Sequence, residues 1–147
     1  GRVLARKRAD LSHLHVIPRG VDLSAFDPDA RGKERAAALR QIWLEGREGA
    51  LVLLPARLTS WKGQALAIEA IHLLMQRVAG PLPTLVCAGD AQGREAYVAE
   101  LRAQAARLGV ALVLPGHVSD MASAYAAADI VINPSIEPEA GVRPDLR

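Results

Sequence analysis

The sequence predicts an α/β fold, a doubly wound parallel sheet with helices on both faces. Three observations carry the prediction. Apolar runs without polar alternation recur at 50–56, 84–88, 111–114 and 130–132, segments with apolar residues at helical spacing lie between them, and turns rich in Gly, Pro, Asp and Ser separate the two kinds. A strand that is apolar on both faces needs cover on both, which a parallel sheet between two helix layers provides.

In chain order, Leu14 to Ile17 is a short apolar run stopped by Pro18, with Gly20 in the turn that follows, and residues 27–32 have the Asp, Pro and Gly content of a connector. A helix is expected from Lys33 to Leu44. ALVLLPA at Ala50 to Ala56 reads as a strand buried on both faces. After the polar turn from Leu58 to Gly63, residues Ala67, Ile68, Ile71, Leu74, Met75 and Val78 recur at helical spacing, so a helix is expected from about Gln64 to Val78. Gly80, Pro81 and Pro83 end it. Thr84 to Ala88 reads as a second strand and Arg94 to Leu108 as a helix that Gly109 stops. Ala111 to Leu114 is the third strand. Asp120 to Ala128 is a short alanine-rich helix that Ser119 could cap, and Ile130 to Ile132 is the fourth strand, ended by Asn133 and Pro134. Right-handed crossovers leave a Rossmann-like layout as the simplest arrangement.

The 147 residues suit one domain able to bury a core. With 27 alanines, 20 leucines and 3% aromatics, that core must be made of small aliphatic contacts between closely packed elements. The domain is expected over residues 16–140, with a basic segment at 1–15 and an irregular tail at 141–147. One cysteine, Cys87, excludes a disulfide framework and a cysteine-based zinc cluster within the chain. No apolar run reaches the roughly 20 residues that span a bilayer, and no secretory pattern opens the sequence, so a reduced, soluble, cytoplasmic domain is expected. A nucleic-acid partner is not expected despite the pI near 9. Four of the 18 basic residues, Arg2, Arg6, Lys7 and Arg8, precede position 10, and removing them leaves 14 basic against 16 acidic. The body of the chain has neither a basic face nor interleaved aromatics.

Ligands of open parallel sheets bind beyond the carboxyl ends of the strands, where strand order reverses. Four turns belong to that edge: Arg57 to Gly63, Gly89 to Gly93, Gly116 to Asp120 and Pro134 to Ala140. The first holds Arg57 and Lys62 with Gly63 directly before a helix, where free amides and the helix dipole favour a phosphate or diphosphate. On spacing alone, a solvated turn whose cations meet only water fits equally. No P-loop and no dinucleotide fingerprint of three spaced glycines is present. His13, His15, His72 and His117 share no metal-ligand spacing, and no metal is expected. Ser119 has no nucleophile elbow around it. Glu137 and Glu139, flanking Pro138, could act as an acid and base pair or be plain loop charges.

Taken together, IPRGVD at Ile17 to Asp22, ARLTSWKG at Ala56 to Gly63, AGD at Ala88 to Asp90, PGHVSD at Pro115 to Asp120 and ADIVINPSIEPEA at Ala128 to Ala140 resemble the nucleotide-sugar-binding half of retaining glycosyltransferases of the family 4 type, which have a two-domain B-type fold. The resemblance covers about Val16 to Ala140. It implies that Arg57 and Lys62 hold the donor diphosphate and stabilise the departing phosphate. It further implies that His117, Val118, Ser119 and Asp120 lie against the nucleotide base, that Glu139 contacts the donor sugar, and that Gly20 borders the interdomain cleft. Gly63 belongs to the diphosphate turn. No cofactor is implied beyond the nucleotide-sugar substrate, because the Arg and Lys take the role Mg²⁺ has in other transferases.

The chain departs from the family pattern after Ala140. Gly141 follows without the usual aromatic, and Arg147 stands eight positions after Glu139, where the family has a second glutamate. The final helix and the N-terminal acceptor domain are expected to be absent, and any contact with a membrane surface would come through that absent domain. Two functions follow. One is the donor half of a glycosyltransferase, inactive in isolation. The other is a non-catalytic nucleotide-binding or structural module.

Overall fold

The computed structural model of the chain describes residues 20, 22–26 and 33–137. The basic segment 1–15, the tail 141–147 and Glu139 lie outside them. A 3-10 turn at Leu23–Phe26 precedes helix α1 (Lys33–Leu44). Strand β1 (Leu51–Pro55), a 3-10 turn at Ser60–Lys62 and helix α2 (Gln64–Met75) follow, then β2 (Thr84–Ala88), α3 (Glu95–Leu108), β3 (Ala111–Gly116), α4 (Met121–Ala127) and β4 (Ile130–Val131).

All strand pairs are parallel and the spatial order is β3-β2-β1-β4. Leu51 pairs with Thr84 and Pro55 with Ala88, while Val52 pairs with Ile130 on the other side of β1. Strand order therefore reverses at β1. One core, built on Val52, Leu54, Leu85 and Cys87, is covered by Ala67, Ile68 and Ile71 of α2 and by Leu101 and Ala105 of α3. The opposite core, built on Leu51, Leu53, Val86 and Ala88, is covered by Ala36 and Trp43 of α1 and by Ala124 and Ala127 of α4. Helices on both faces of a parallel sheet are the doubly wound layout the sequence predicts. The alternation of Leu51 and Leu53 with Val52 and Leu54 sends neighbouring side chains into different cores, which is why the run carries no polar residue. Cys87 is fully buried, and loss of hydration pushes its thiol up to about 12.

Several local expectations are corrected. Helix α2 ends at Met75 rather than Val78. The Arg77 and Val78 amides close a turn on the Leu74 carbonyl, and Val78 is exposed with no core to reach. The cap of α4 is Asp120, not Ser119. One Asp120 oxygen accepts the Ser123 amide at 3.1 Å and the other accepts the Ser123 hydroxyl at 2.9 Å. These two bonds, with a smaller pull from Arg35, hold the Asp120 carboxyl below the usual carboxylate range. Nor are all four strands buried on both faces. Ile130 and Val131 of β4 are exposed, because β4 pairs only with β1 among the described residues.

The amino end of the sheet is tied by a polar cluster absent from the sequence reading. Arg40 of α1 donates to the Asp129 carboxylate at 2.8 Å and to the Ala127 carbonyl at 2.9 Å. The same Asp129 oxygen accepts the Leu51 amide at 2.7 Å, and the Asp129 amide donates to the Leu51 carbonyl at 3.0 Å. One carboxylate thus joins α1, β1 and the α4–β4 junction. Burial pushes Asp129 up, and the Leu51 amide and Arg40 guanidinium together outweigh it, leaving the carboxyl below its ordinary range. A depressed carboxyl contributes stability above its unfolded pKa, about 3.9, that is lost as pH falls through the folded value. Asp129→Asn is expected to cost about 1–2 kcal/mol at pH 7, on the low side because the carboxylate is half open to water. Urea melts from pH 7 to 3 check it, with the gap between wild type and variant narrowing below pH 4.

Candidate functional site

The turn after β1 is built almost wholly from backbone contacts. The Ala56 amide donates to the Ala88 carbonyl and the Leu58 amide to the Asp90 carbonyl, both at 3.0 Å, so the pairing of β1 with β2 continues past the strand ends. Gly89 permits this. A Cβ there would run into the Ala56 carbonyl and lie 2.9 Å from the Arg57 nitrogen. Leu58 and Thr59 are buried beneath the turn. The Lys62 amide then closes on the Thr59 carbonyl at 3.0 Å, and the chain enters α2 through Gly63 at φ +79°. A Cβ on Gly63 would strike the Pro134 carbonyl in the segment after β4, and the Ile136 amide donates to the Trp61 carbonyl at 2.9 Å.

On this frame Arg57 is exposed, and its guanidinium donates to the Gln92 side-chain carbonyl at 3.4 Å. Among the described residues it makes no ion pair. Gln92 is itself held in the left-handed region at φ +50°, with its amide bonded to the Asp90 carboxylate at 3.0 Å. The Lys62 ammonium lies 4.2 Å from the centre of the Trp61 ring, a cation–π distance. Gln64, the first residue of α2, is fully buried. Its amide nitrogen donates to the Arg57 carbonyl at 2.9 Å, and its oxygen accepts the Tyr97 hydroxyl at 3.3 Å.

A cavity of about 440 Å³ opens over the carboxyl ends of β1 and β2. Arg57, Gly89, Asp90 and Gln92 line it together with His117, Val118 and Tyr125. Lys62 does not line it. A second groove of about 410 Å³ lies across the same loop, between α1 and Pro115 to Asp120, and His117 and Val118 belong to both. Ser119 and Asp120 line only this second groove. The structure thus brings Arg57, His117 and Val118 together, sets Lys62, Ser119 and Asp120 apart, and leaves Gly20 exposed and outside the cavity. Of the four turns expected at the carboxyl edge, those beginning at Arg57, Gly89 and Gly116 contribute to the cavity, while the segment after β4 packs on the first turn through the Gly63–Pro134 and Trp61–Ile136 contacts. No group of three His, Cys, Asp or Glu suited to a metal occurs among the described residues. Gln64, Gln92 and Tyr125 were missed by sequence reasoning. Only Gln64 carries a signal, being a polar residue on the buried stripe it shares with Ala67, Ile68 and Ile71.

A parallel sheet of order 3-2-1-4, clad in helices and open at its carboxyl edge beside an arginine, defines an α/β Rossmann-like domain of the kind found in GT-B glycosyltransferases. The chain belongs to the family described as glycosyl transferases group 1, whose model matches residues 49–143. It is 36% identical over 132 residues to a D-inositol 3-phosphate glycosyltransferase of Jonesia denitrificans, covering 86% of this chain and 31% of that protein. The chain therefore spans about a third of that curated relative's length. Among solved structures it is similar to Anabaena Alr3699/HepE in complex with UDP and glucose, with a TM-score of 0.77 and 27% identity over 94% of this chain and 36% of that one. It is also similar to the C-terminal domain of a glycosyl transferase group 1 family protein, LpcC, from Francisella tularensis. There the TM-score is 0.58 and the identity 26%, over 79% of this chain and 59% of that one.

The frame makes Gly89 intolerant of any side chain. Gly89→Ala is expected to destabilise the fold by more than about 2 kcal/mol, because backbone rather than a flexible side chain must move. Thermal melts of the two proteins check it, and a melt within 2 °C of wild type would contradict the close approach.

Proposed function

We propose that this chain is the donor-binding part of a retaining glycosyltransferase, which holds a nucleotide-diphosphate sugar while the sugar passes to an acceptor with its anomeric configuration kept. The observation that carries the reading is that Arg57, His117 and Val118 line the same cavity of about 440 Å³. A guanidinium and a loop lining the same cavity suit a ligand with an anionic middle and a flat polar end. Complexes of Anabaena Alr3699/HepE with UDP and with UDP-glucose support this class of ligand.

In this reading Arg57 binds the diphosphate and stabilises charge as the phosphate leaves. Lys62, on the same turn, joins it by leaving the Trp61 ring for a charge-assisted contact with phosphate. Gly63 keeps that turn tight. The loop at His117 and Val118 receives the base, with Ser119 and Asp120 supporting it from behind. Gly20 borders the cleft to a second domain, and Glu139 contacts the transferred hexose. The two cations do the work of a divalent metal, so neither metal nor cofactor is needed. The buried free thiol of Cys87 and a nucleotide-sugar donor fit a cytoplasmic setting. Among the described residues, no helix is long and apolar enough to cross a membrane.

Titration calorimetry with UDP and UDP-glucose is expected to give saturable binding. Arg57→Ala and Lys62→Ala each weaken it at least tenfold, since a charge-assisted hydrogen bond contributes about 1.5–3 kcal/mol. EDTA leaves it unchanged. Wild-type affinity in both variants would refute the diphosphate assignment.

One wall of a cleft cannot hold an acceptor in line with a donor. The 147 residues alone are expected to bind donor and release no transferred sugar in a radiolabel assay. Turnover by them would overturn the division of labour.

A further inference from the structure

Gln64 is the most deeply buried uncharged amide of the described chain, at 0% exposure, and it stands where helical spacing asks for an apolar side chain. A Met or Leu would fill that volume without the cost of removing an amide from water. The amide is satisfied from both ends, by the Arg57 carbonyl at 2.9 Å and the Tyr97 hydroxyl at 3.3 Å. The contact is aimed at the one residue of the turn that reaches the cavity. Around Arg57 the preceding amide is bonded to Ala88 and the following amide to Asp90, and Gln64 takes its carbonyl. With three hydrogen bonds holding the Pro55–Ala56 and Arg57–Leu58 peptide groups, the guanidinium's remaining freedom lies mainly in its side-chain torsions.

We propose that Gln64 is a positioning residue for diphosphate binding: its amide, braced by Tyr97 of α3, fixes the Arg57 backbone and so sets where the guanidinium meets the ligand. The inference rests on the donor-site reading above and adds the element that aims its cation. A long side chain amplifies small rotations at its root, and a displacement of about 1 Å can cost on the order of a hundredfold where geometry decides. Loss of one neutral hydrogen bond behind the residue should cost less, about fivefold.

The test is a double-mutant cycle in the 147-residue chain with UDP, inorganic pyrophosphate and uridine as probes, read by ligand-observed NMR, with folding checked by thermal melts. Gln64→Met is expected to weaken UDP and pyrophosphate by about fivefold and to leave uridine unchanged. In an Arg57→Ala background it should weaken them no further, because it acts through Arg57. A general packing defect would lower all three ligands and would do so equally in both backgrounds. Tyr97→Phe removes the brace along with the hydroxyl's bond to the Ala65 backbone and should shift UDP in the same direction by about twofold, again vanishing without Arg57; it carries the cycle if Gln64→Met does not fold. Unchanged pyrophosphate binding in Gln64→Met, or an equal loss with Arg57 already gone, overturns the proposal. If Arg57→Ala by itself leaves UDP and pyrophosphate binding intact, the donor-site reading falls, and the positioning role with it.

Discussion

A peptide group can lie directly against another only where no side chain stands between them, and the carboxyl edge of this sheet is built on that constraint. Gly89 lets the Ala56–Arg57 peptide settle against the end of β2, so the ladder between β1 and β2 runs on into the turn. Gly63 does the same for the segment after β4, whose Pro134 carbonyl occupies the space a Cβ would take. Both contacts tie loops to each other rather than to the core. The loop carrying Arg57 therefore inherits the rigidity of a central strand although it is exposed. Such a loop can present a cation without ordering it anew for each ligand, which lowers the entropic cost of binding.

The two ends of the sheet divide structural and functional work. At the amino end, Asp129 and Arg40 gather α1, β1 and the start of β4 around one carboxylate. At the carboxyl end, polar groups are left facing a cavity. Between them the helices meet the leucines and valines of the sheet largely through Ala36, Ala67, Ala105, Ala124 and Ala127, with Trp43 the one buried aromatic among the described residues. Alanines let the helices lie close to the sheet but bury little area each, so any single contact in the layers contributes modestly. That makes the polar tie at the amino end a larger share of the total than it would be in an aromatic-rich core.

The layout was legible because β1 and β2 are continuous apolar runs and α2 carries a clear stripe, and because crossover handedness leaves few alternatives. Arg57 could be picked out because the turn ARLTSWKG, together with the four other segments, resembles the family pattern, whereas on spacing alone a solvated turn fitted equally. What stayed hidden depends on distance in space. Gln92 reaches Arg57 across 35 residues, and Asp129 reaches Arg40 across 89. No local pattern announces either. The cap of α4 was misjudged between neighbours, since Ser119 and Asp120 are both good capping residues and only the backbone geometry separates them. The packing of the segment after β4 was equally hidden, because the strand-order rule says nothing of a proline after β4 closing on a glycine.

The loop at His117 to Asp120 shows how commitments made for the fold constrain what a ligand can meet. The Asp120 carboxylate is spent on Ser123, with Arg35 at 3.4 Å beyond it. Arg35 is 76% exposed on its side chain, so that ion pair adds little, and the cap is what holds the loop. Asp120 also lines the outer groove and not the cavity that Arg57 lines. On the donor reading, the carboxylate is therefore not the group that reads the base. That reading leaves His117 and Val118, which line the inner cavity, as the part of the loop within reach of the base. Backbone donors and acceptors recognise a hydrogen-bonding edge rather than a charge, and they keep their positions when the side chains around them change. A site of that construction can conserve its preference for a base while the sequence of its loop drifts, provided the cap that shapes the loop is kept.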